Sequence, residues 1–182
     1  MAKPTVLVHI CCAPDGLFVM DQLKDDYDAA GFFYNPNIFP SEEYDRRLQD
    51  AENIGRLRGF AVVRGPRDHE LWLKLTAKFK EEPEMGRRCD VCYAMRLNRT
   101  ARIAAGRGFD LFTTVMSLSP WKKAASLNRI GGMLGRRYGI PFIESDFKKK
   151  DGFRRSVEMS KSYNLYRQDY CGCPYSRHAR NP

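Results

Sequence analysis

The sequence contains no long apolar run and no targeting signal. A helix that spans a membrane needs about 18 or more consecutive apolar residues, and no stretch of this chain reaches that length. The first residues also lack the charged, apolar and small-residue zones of a secretory signal. We therefore expect a cytoplasmic protein that does not associate with membranes.

The sequence also lacks a phosphate-binding loop of the GxGxxG or SGGxDS type, so ATP is not an expected cofactor. It has no internal repeat, no low-complexity tract and no linker. A chain of 182 residues can bury a core without disulfide bonds. We predict a single domain over residues 1–182, with a helical insertion at about 66–108 and a C-terminal CxC segment at about 164–182.

Basic residues exceed acidic ones. The chain has 31 Lys and Arg against 22 Asp and Glu, which gives a net charge of +9 and a pI of about 9.4. Such an excess attracts polyanions, above all nucleic acid. We therefore expect a nucleic acid as partner or substrate.

Strand and helix patterns alternate along the chain. Five short runs rich in β-branched or aromatic residues predict strands, with helical patterns between them. This alternation indicates an α/β fold, a parallel five-stranded sheet with helices on both faces. The predicted strands are 5–10, 31–35, 60–65, 110–117 and 140–145. The predicted helices are 16–31, 41–59, 120–139 and, within the insertion, 68–80 and 89–105.

Six cysteines occur in three compact pairs. The pairs are the adjacent Cys11 and Cys12, the CxxC motif of Cys89 and Cys92, and the CxC motif of Cys171 and Cys173. In a reducing compartment such spacing favours metal binding or redox chemistry over structural disulfides. Cysteines grouped in this way are poorly explained as independent core residues.

Two of the motifs differ in the site that they can form. Cys11 and Cys12 follow the first predicted strand, at the edge where parallel α/β sheets bind ligands. Adjacent residues of an extended chain point to opposite sides, so these thiols are expected to serve two neighbouring centres more readily than one. A CxxC motif can hold a single metal, and Arg87, Arg88 and a helix beginning near Asp90 favour its thiolate forms. A lone CxxC motif also suits a zinc knuckle or a redox disulfide.

The candidate ligands outnumber the needs of one centre. A zinc site or a [4Fe-4S] cluster takes four ligands, whereas six thiols and one nearby carboxylate make seven. The surplus indicates either a second metal or a thiol pair that cycles through a disulfide beside a cluster. The candidate metal ligands are Cys11, Cys12, Asp15, Cys89, Cys92, Cys171 and Cys173.

Five segments together resemble the QueH family of epoxyqueuosine reductases: HICCAPD, YNPNIFPSEEYDRR, RRCDVCYAMRL, SLSPWKK and NLYRQDYCGC. The resemblance runs from residue 5 to about residue 177. It implies a Rossmann-like fold of the nucleotide-hydrolase group and reductive removal of the epoxide oxygen of epoxyqueuosine at the tRNA wobble position. It also implies a 4Fe-4S cluster beside a second metal, without cobalamin. Many family members have cysteine at the position of Asp15.

The implied reaction consumes two electrons and two protons and releases water. Side chains cannot supply the electrons, so an external low-potential electron donor is an expected partner, together with tRNA that has a queuosine-type anticodon. We expect Cys89, Cys92 and one first-strand thiol to bind the cluster. Asp15 and the CxC cysteines would share the second metal, which is expected to be mononuclear iron acting as a Lewis acid.

The candidate catalytic residues surround the CxC motif: Cys171, Cys173, Asp169 and Tyr170. Asp169 and Tyr170 are candidate proton donors because they adjoin Cys171, while water, Tyr163 and His9 are alternatives. His69 and His178 have no motif around them.

Residues that follow the fourth predicted strand are candidates for substrate contacts. Ser117 and Ser119 could meet the nucleoside, Trp121 could stack on a base, and Lys122 and Lys123 could bind phosphate. Trp121 fits a buried anchor at a helix start equally well.

Asn35 and Asn37 follow the second predicted strand, within the segment YNPN. Their amides could contact a base or a ribose. Asn-Pro is also ordinary turn chemistry, and that simpler interpretation is preferred.

Two other functions fit part of the pattern. A zinc-stabilised RNA-binding module would use the cysteines for folding and the basic residues to hold RNA. A thiol-disulfide oxidoreductase acting on proteins would need neither a metal nor a basic surface. Iron with acid-labile sulfide in anaerobically purified protein would exclude a zinc-only module.

Overall fold

A four-stranded parallel sheet forms the centre of the computed structural model, which describes residues 2–176. The strands are β1 (Thr5–Ile10), β2 (Asp28–Phe33), β3 (Val62–Arg64) and β4 (Leu111–Thr114). They lie in the order β3-β2-β1-β4. Every residue of β1 after Thr5 is buried, as expected for a strand with neighbours on both sides and helices on both faces.

The parallel sheet is confirmed, but the prediction of five strands is wrong. Within the described part of the chain, residues 140–145 form no strand, and Phe142 makes an isolated bridge to Phe112 of β4. Phe112 N donates to Pro141 O at 3.1 Å, and Ile143 N donates to Phe112 O at 2.9 Å. Pro141 has no N–H to donate, so the ladder cannot extend on the side of the bridge that precedes these two bonds.

Six helices cover the sheet within the described residues. They are α1 (Ala13–Leu23), α2 (Ser41–Arg58), α3 (His69–Thr76), α4 (Arg87–Gly106), α5 (Ala124–Tyr138) and α6 (Gly152–Ser162). Helices α1, α2 and α6 pack together on one face, and α4 packs with α5 on the other. The helix predicted at 16–31 starts earlier and ends earlier than expected, because residues from Asp28 onward pair with β1.

Residues 66–108 connect the two edges of the sheet. They contain α3, a 3-10 turn (Ala77–Phe79) and α4. Because α4 runs back across the sheet to reach β4, its first turns lie at the carboxyl edge of the strands, near the end of β1. The division into one domain with an insertion stays a prediction. No helix within residues 2–176 is long and apolar enough to cross a membrane.

Helix α6 was not predicted from the sequence. It follows a tight turn in which both Lys150 (φ 52°) and Asp151 (φ 59°) have left-handed backbones, a conformation that side chains disfavour. Gly152 begins the helix, and a Cβ at this position would lie 1.8 Å from the carbonyl oxygen of Phe147. The turn therefore requires glycine here.

Replacing Gly152 with alanine should destabilise the protein. The added methyl group overpacks the turn, so the free energy of unfolding should fall by about 1–3 kcal/mol in denaturant titrations. Gly106→Ala is the control, because a Cβ there would meet no heavy atom within 4 Å. That variant should be unchanged or more stable by about 0.5–1 kcal/mol. A Gly152→Ala protein as stable as the parent would contradict the tight turn.

Candidate metal centre

Cys11, Cys12 and Asp15 bring their ligand atoms together where β1 passes into α1. The two sulfurs and a carboxylate oxygen lie within 4.8 Å of one another, and all three residues are buried. The expectation that the adjacent thiols diverge is therefore corrected. Strand β1 ends at Ile10, and the chain bends at both cysteines before α1 begins at Ala13. Thiolate and carboxylate groups at these distances can bind one metal ion.

The CxxC motif occupies the first two turns of α4, which begins at Arg87 rather than near Asp90. Burial raises the pKa of Cys89 to about 11, and its sulfur accepts a hydrogen bond from Met85 N at 3.3 Å. Arg88 is buried and donates to backbone carbonyls of the preceding loop. Contrary to expectation, Arg88 does not hold Cys89 as a thiolate at neutral pH, so metal binding there must release a proton.

The CxC segment is held by two buried side chains from distant parts of the chain. Arg47 of α2 donates to the carbonyls of Tyr170 at 3.2 Å and Cys171 at 3.3 Å. Asn37 Nδ2 donates to the same carbonyl of Cys171 at 3.2 Å. Glu43 accepts from Arg47 Nε at 2.6 Å and balances its charge. Tertiary contacts therefore fix the motif in place.

Gly172 gives the CxC motif its bend. Its φ of 96° is available to glycine but strained for other residues. A Cβ at this position would lie 2.7 Å from a side-chain atom of Ile38 and 3.2 Å from its Cα. The carbonyl of Gly172 accepts from Phe39 N at 2.9 Å. Both the backbone angle and the close approach explain the glycine between the two cysteines.

Two adjoining cavities lie among these cysteines. Cys11, Asp15 and Cys171 line the larger cavity of the two, which has a volume of about 180 Å³. The four cysteines of the CxxC and CxC motifs line a second space of about 20 Å³. Both are also lined by Glu84, Arg96, Trp121 and Lys122. A separate cavity of about 460 Å³, between Lys3 and Arg58, is lined by no cysteine and lies at the opposite edge of the sheet.

Each of two cysteine pairs contains one acidic thiol. A hydrogen bond from Cys12 lowers the pKa of Cys11 to about 6, and one from Cys173 lowers the pKa of Cys171 well below its ordinary value. The pKa values of the donors Cys12 and Cys173 are raised by the same bonds. These hydrogen bonds therefore favour the thiolate form of one cysteine in each pair, which is the form that binds metals.

The carboxyl group of Asp15 experiences opposing influences. Burial raises its pKa, while the positive charges of Arg167 and Lys122 act against that rise. A hydrogen bond with Cys12 also acts to lower the pKa of Asp15. A bound cation would favour the carboxylate form in the same way as these two basic residues.

Arg96 is a buried cation that the sequence analysis did not identify. Its Nη2 donates to Asn35 Oδ1 at 2.7 Å, its Nε donates to His9 Nε2 at 3.3 Å, and its Nη1 lies 4.0 Å from Cys92 Sγ. Asn35 in turn donates to Ile10 O at 2.9 Å. A signal existed in the sequence, because a residue four positions after Cys92 lies on the same helix face.

His9 lies beneath the cysteines and lines neither cavity. Burial and the positive charge of Arg96 lower its pKa well below the ordinary value. Its ring nitrogens lie 3.0 Å from Thr114 Oγ1 and 3.1 Å from Tyr34 O. These contacts hold the His9 ring in the interior, and its role as an alternative proton donor stays a prediction.

The predicted substrate residues after β4 separate into two groups. Ser119, Trp121 and Lys122 line the larger cavity, and Trp121 is 54% exposed, which excludes a buried anchor. Ser117 is buried with its hydroxyl 3.0 Å from that of Ser145, and Lys123 is exposed at the start of α5. Neither Ser117 nor Lys123 lines the two cavities.

The predicted catalytic residues Asp169 and Tyr170 both line the larger cavity. The Tyr170 hydroxyl donates to Phe39 O at 2.5 Å. Tyr163 instead accepts a hydrogen bond from Arg58 at 2.7 Å and lines neither cavity. The other isolated histidines are His69, with Nδ1 2.7 Å from Pro36 O, and His178, which lies outside the described residues.

One known family matches the chain over nearly its full length. The family described as Epoxyqueuosine reductase QueH aligns with residues 6–179, a range that contains all of the cysteines and Asp15. The chain belongs to the QueH family. A curated relative with this description from Streptococcus pyogenes serotype M1 is 37% identical over 180 residues, covering 96% of this chain and 71% of the relative. The one from Thermotoga maritima is 35% identical over 175 residues and covers 94% and 90%.

Solved structures of other tRNA-modifying proteins share the fold of this QueH-family chain. A U34-tRNA thiolase, NcsA, from Methanococcus maripaludis with its [4Fe-4S] cluster superposes with a TM-score of 0.61 at 13% identity, covering 97% of this chain and 62% of that one. A predicted tRNA methyltransferase subunit from Methanocaldococcus jannaschii has a TM-score of 0.60 at 16% identity, covering 85% and 74%. At these identities the likeness concerns the fold.

Replacing Arg47 with methionine should release the CxC segment. The change leaves Glu43 partly buried without its cation, and removing one partner of a buried pair costs about 3–5 kcal/mol of unfolding free energy. Iodoacetamide should also modify Cys171 faster in the metal-free variant, as measured by peptide mass spectrometry. Arg56→Met on the exposed side of α2 is the control and should change neither quantity. Equal alkylation rates in parent and Arg47→Met would argue against this anchoring role.

Proposed function

We propose that this QueH-family protein reduces epoxyqueuosine in tRNA to queuosine and releases the epoxide oxygen as water. The observation that carries the proposal is the grouping of the cysteines and Asp15 around adjoining cavities in a chain of this family. The net charge of +9 supports a polyanionic substrate. The wobble position is the proposed site of reaction.

The donor atoms fit two metal centres. The four thiols of the CxxC and CxC motifs, which line one small space, would hold a [4Fe-4S] cluster, since such clusters take four cysteine ligands. Cys11, Cys12 and Asp15 would hold a second metal, for which we propose mononuclear iron. Within the described residues, Asn37 Oδ1 and Gln168 Oε1 are buried without a hydrogen-bond partner beside these cavities. This division moves the first-strand thiol, expected at the cluster, to the second metal.

When bound, the cluster would supply single electrons from an external low-potential donor and the second metal would polarise the epoxide oxygen as a Lewis acid. Cys171 lines both cavities, so it would adjoin both centres. Lys122 favours the anionic forms of Cys171 and Asp15. The positive charge of Lys122 would therefore help to keep both ligands in their anionic, metal-binding forms.

Two protons must reach the departing oxygen. Asp169 is exposed and lines the larger cavity, so we propose that its carboxyl group relays protons from solvent. Tyr170 lines the same cavity, but its hydroxyl donates to Phe39 O. We therefore propose that Tyr170 positions the CxC segment, with Asp169 as the proton-transfer residue.

Substrate contacts are proposed at the mouth of the larger cavity. The exposed indole of Trp121 would stack on a base and Lys122 would meet a phosphate, because nucleic acids are held by such stacking and charge contacts. Ser119 and Asn37 line the cavities and offer polar contacts. Asn35 is committed to Arg96 and Ile10 O, so its contribution would be to position Arg96.

Substituting one cysteine from each proposed centre should separate the two metals. Anaerobically purified parent protein should be brown, with more than about four iron atoms per chain. Cys89→Ser should lose the cluster absorbance. Cys12→Ser should retain that absorbance and about four iron atoms, yet lose turnover measured by nucleoside analysis of the tRNA.

Metal and sulfide analyses of the same proteins can also give results that contradict the proposal. Zinc without iron in the parent would contradict the proposed reduction and favour an RNA-binding module. Loss of the cluster in Cys12→Ser but not in Cys89→Ser would reverse the proposed division of ligands. Circular dichroism of each variant serves as the folding control.

Replacing Lys122 and Lys123 with alanine should weaken tRNA binding and flatten its salt dependence. Each lost phosphate contact lowers the slope of log K against log salt by about 0.7–0.9. The control replaces Arg136 and Arg137, which are exposed at the opposite end of α5. That double variant should keep the parent slope, and both should keep the cluster absorbance. An unchanged slope in the lysine variant would mean that these lysines lie outside the tRNA path.

A further inference from the structure

Two exposed aromatic rings lie at the larger cavity. Among the large apolar residues that the structure shows as exposed, Trp121 (54%) and Phe153 (36%) are the two that line it. Burial in the core therefore explains neither position.

Phe153 is held at the cavity by an unusual turn. Lys150 and Asp151 both have positive φ angles, and Gly152 approaches Phe147 too closely for any other residue. Left-handed backbones at residues other than glycine cost free energy and concentrate at functional sites. The strained turn directly precedes Phe153, which is the second residue of α6 and lines the cavity.

Arg167 covers part of the Phe153 ring. Its guanidinium carbon lies 5.4 Å from the ring centroid. The guanidinium is oriented by hydrogen bonds to Ser156 O at 3.4 Å and Ser160 Oγ at 3.3 Å. Because Arg167 also lines the cavity, the ring has a fixed charged neighbour beside the open space.

The surroundings of the two rings are predominantly basic. Lys122 lines the cavity with Trp121. The exposed cations near Phe153 are Lys149, Lys150, Arg154 and Arg155. Of these, Arg154 is shared with Asp151 and Glu158 in exposed ion pairs. Aromatic rings interleaved with cations bind single-stranded nucleic acid, whose bases stack while its phosphates are neutralised.

We propose that Phe153 and Trp121 form an aromatic slot in which the target nucleobase of the tRNA stacks, with Phe153 as a substrate-positioning residue. The inference rests on the proposed function, since it specifies how the same cavity receives the base. A base removed from its own stack loses contacts that a protein must replace, and aromatic side chains commonly do so. The basic rim favours a nucleic acid strand over an apolar peptide as the occupant.

Tryptophan fluorescence gives a direct test of the slot. The chain has two tryptophans, and Trp72 is fully buried, so a ligand in the slot should quench the emission of the exposed Trp121. The probe is an anticodon stem–loop RNA with a queuosine-type anticodon and guanosine at the wobble position. Quenching should occur in the parent and be absent in Trp121→Leu.

Substitutions of Phe153 test the second ring. Phe153→Leu should raise the Kd of the stem–loop between about 5-fold and 150-fold, the range for a lost base–aromatic stack. It should raise KM with kcat within about twofold, because it removes binding common to ground and transition states. Phe153→Tyr, which keeps a ring, should restore the parent values. Leu57→Ala is the control, because Leu57 is 68% exposed and lines neither cavity.

The outcomes distinguish the slot from the reaction. An unchanged Kd in Phe153→Leu, or an equal loss in Leu57→Ala, would overturn the slot even if the parent reduces epoxyqueuosine in tRNA. Quenching of Trp121 with the expected Phe153 effects would support the slot even if no reduction were found. That second result would overturn the proposed function alone.

Discussion

The buried guanidinium of Arg96 connects the sheet to the cysteines. It joins α4 to the ends of two strands, through His9 of β1 and through Asn35, which follows β2 and donates to Ile10 O. The same guanidinium lies beside Cys92. A buried cation needs anionic or polar partners to remain charged, and thiolates in a low-dielectric interior need a cation. Each therefore makes the other tolerable, and the site depends on this mutual compensation.

The second constraint is the attachment of the CxC segment to the rest of the protein. Its carbonyls accept hydrogen bonds from Asn37 and Arg47, more than 120 residues earlier in the chain. Closing such a long loop costs conformational entropy, which the buried hydrogen bonds and the packing of Cys173 on Trp72 must offset. The full set of thiols consequently exists in one place only when the tertiary structure is complete.

The proposed chemistry uses the two levels of the site differently. Thiols and Asp15 occupy the floor, where burial and hydrogen bonds alter their pKa values. The exposed rings of Trp121 and Phe153 and the half-buried Lys122 occupy the mouth, where a large polyanion can reach them. Separation of this kind lets a metal reaction proceed in a confined space while the affinity for nucleic acid is set at the surface.

Local features of the sequence were enough to predict the strand β1, the position of Cys11 and Cys12 at its end, the surplus of ligands and the resemblance to the QueH family. These features follow from local periodicity, spacing and motifs, which do not depend on distant residues. Only the three-dimensional fold shows that Cys11 and Cys12 converge, because the bend before α1 redirects their side chains. It also shows that Arg47 and Arg96 are buried at the site, that Phe142 forms a bridge instead of a strand, and that Phe153 is exposed. Those outcomes depend on contacts between residues that are distant in the sequence, and local patterns do not encode such contacts.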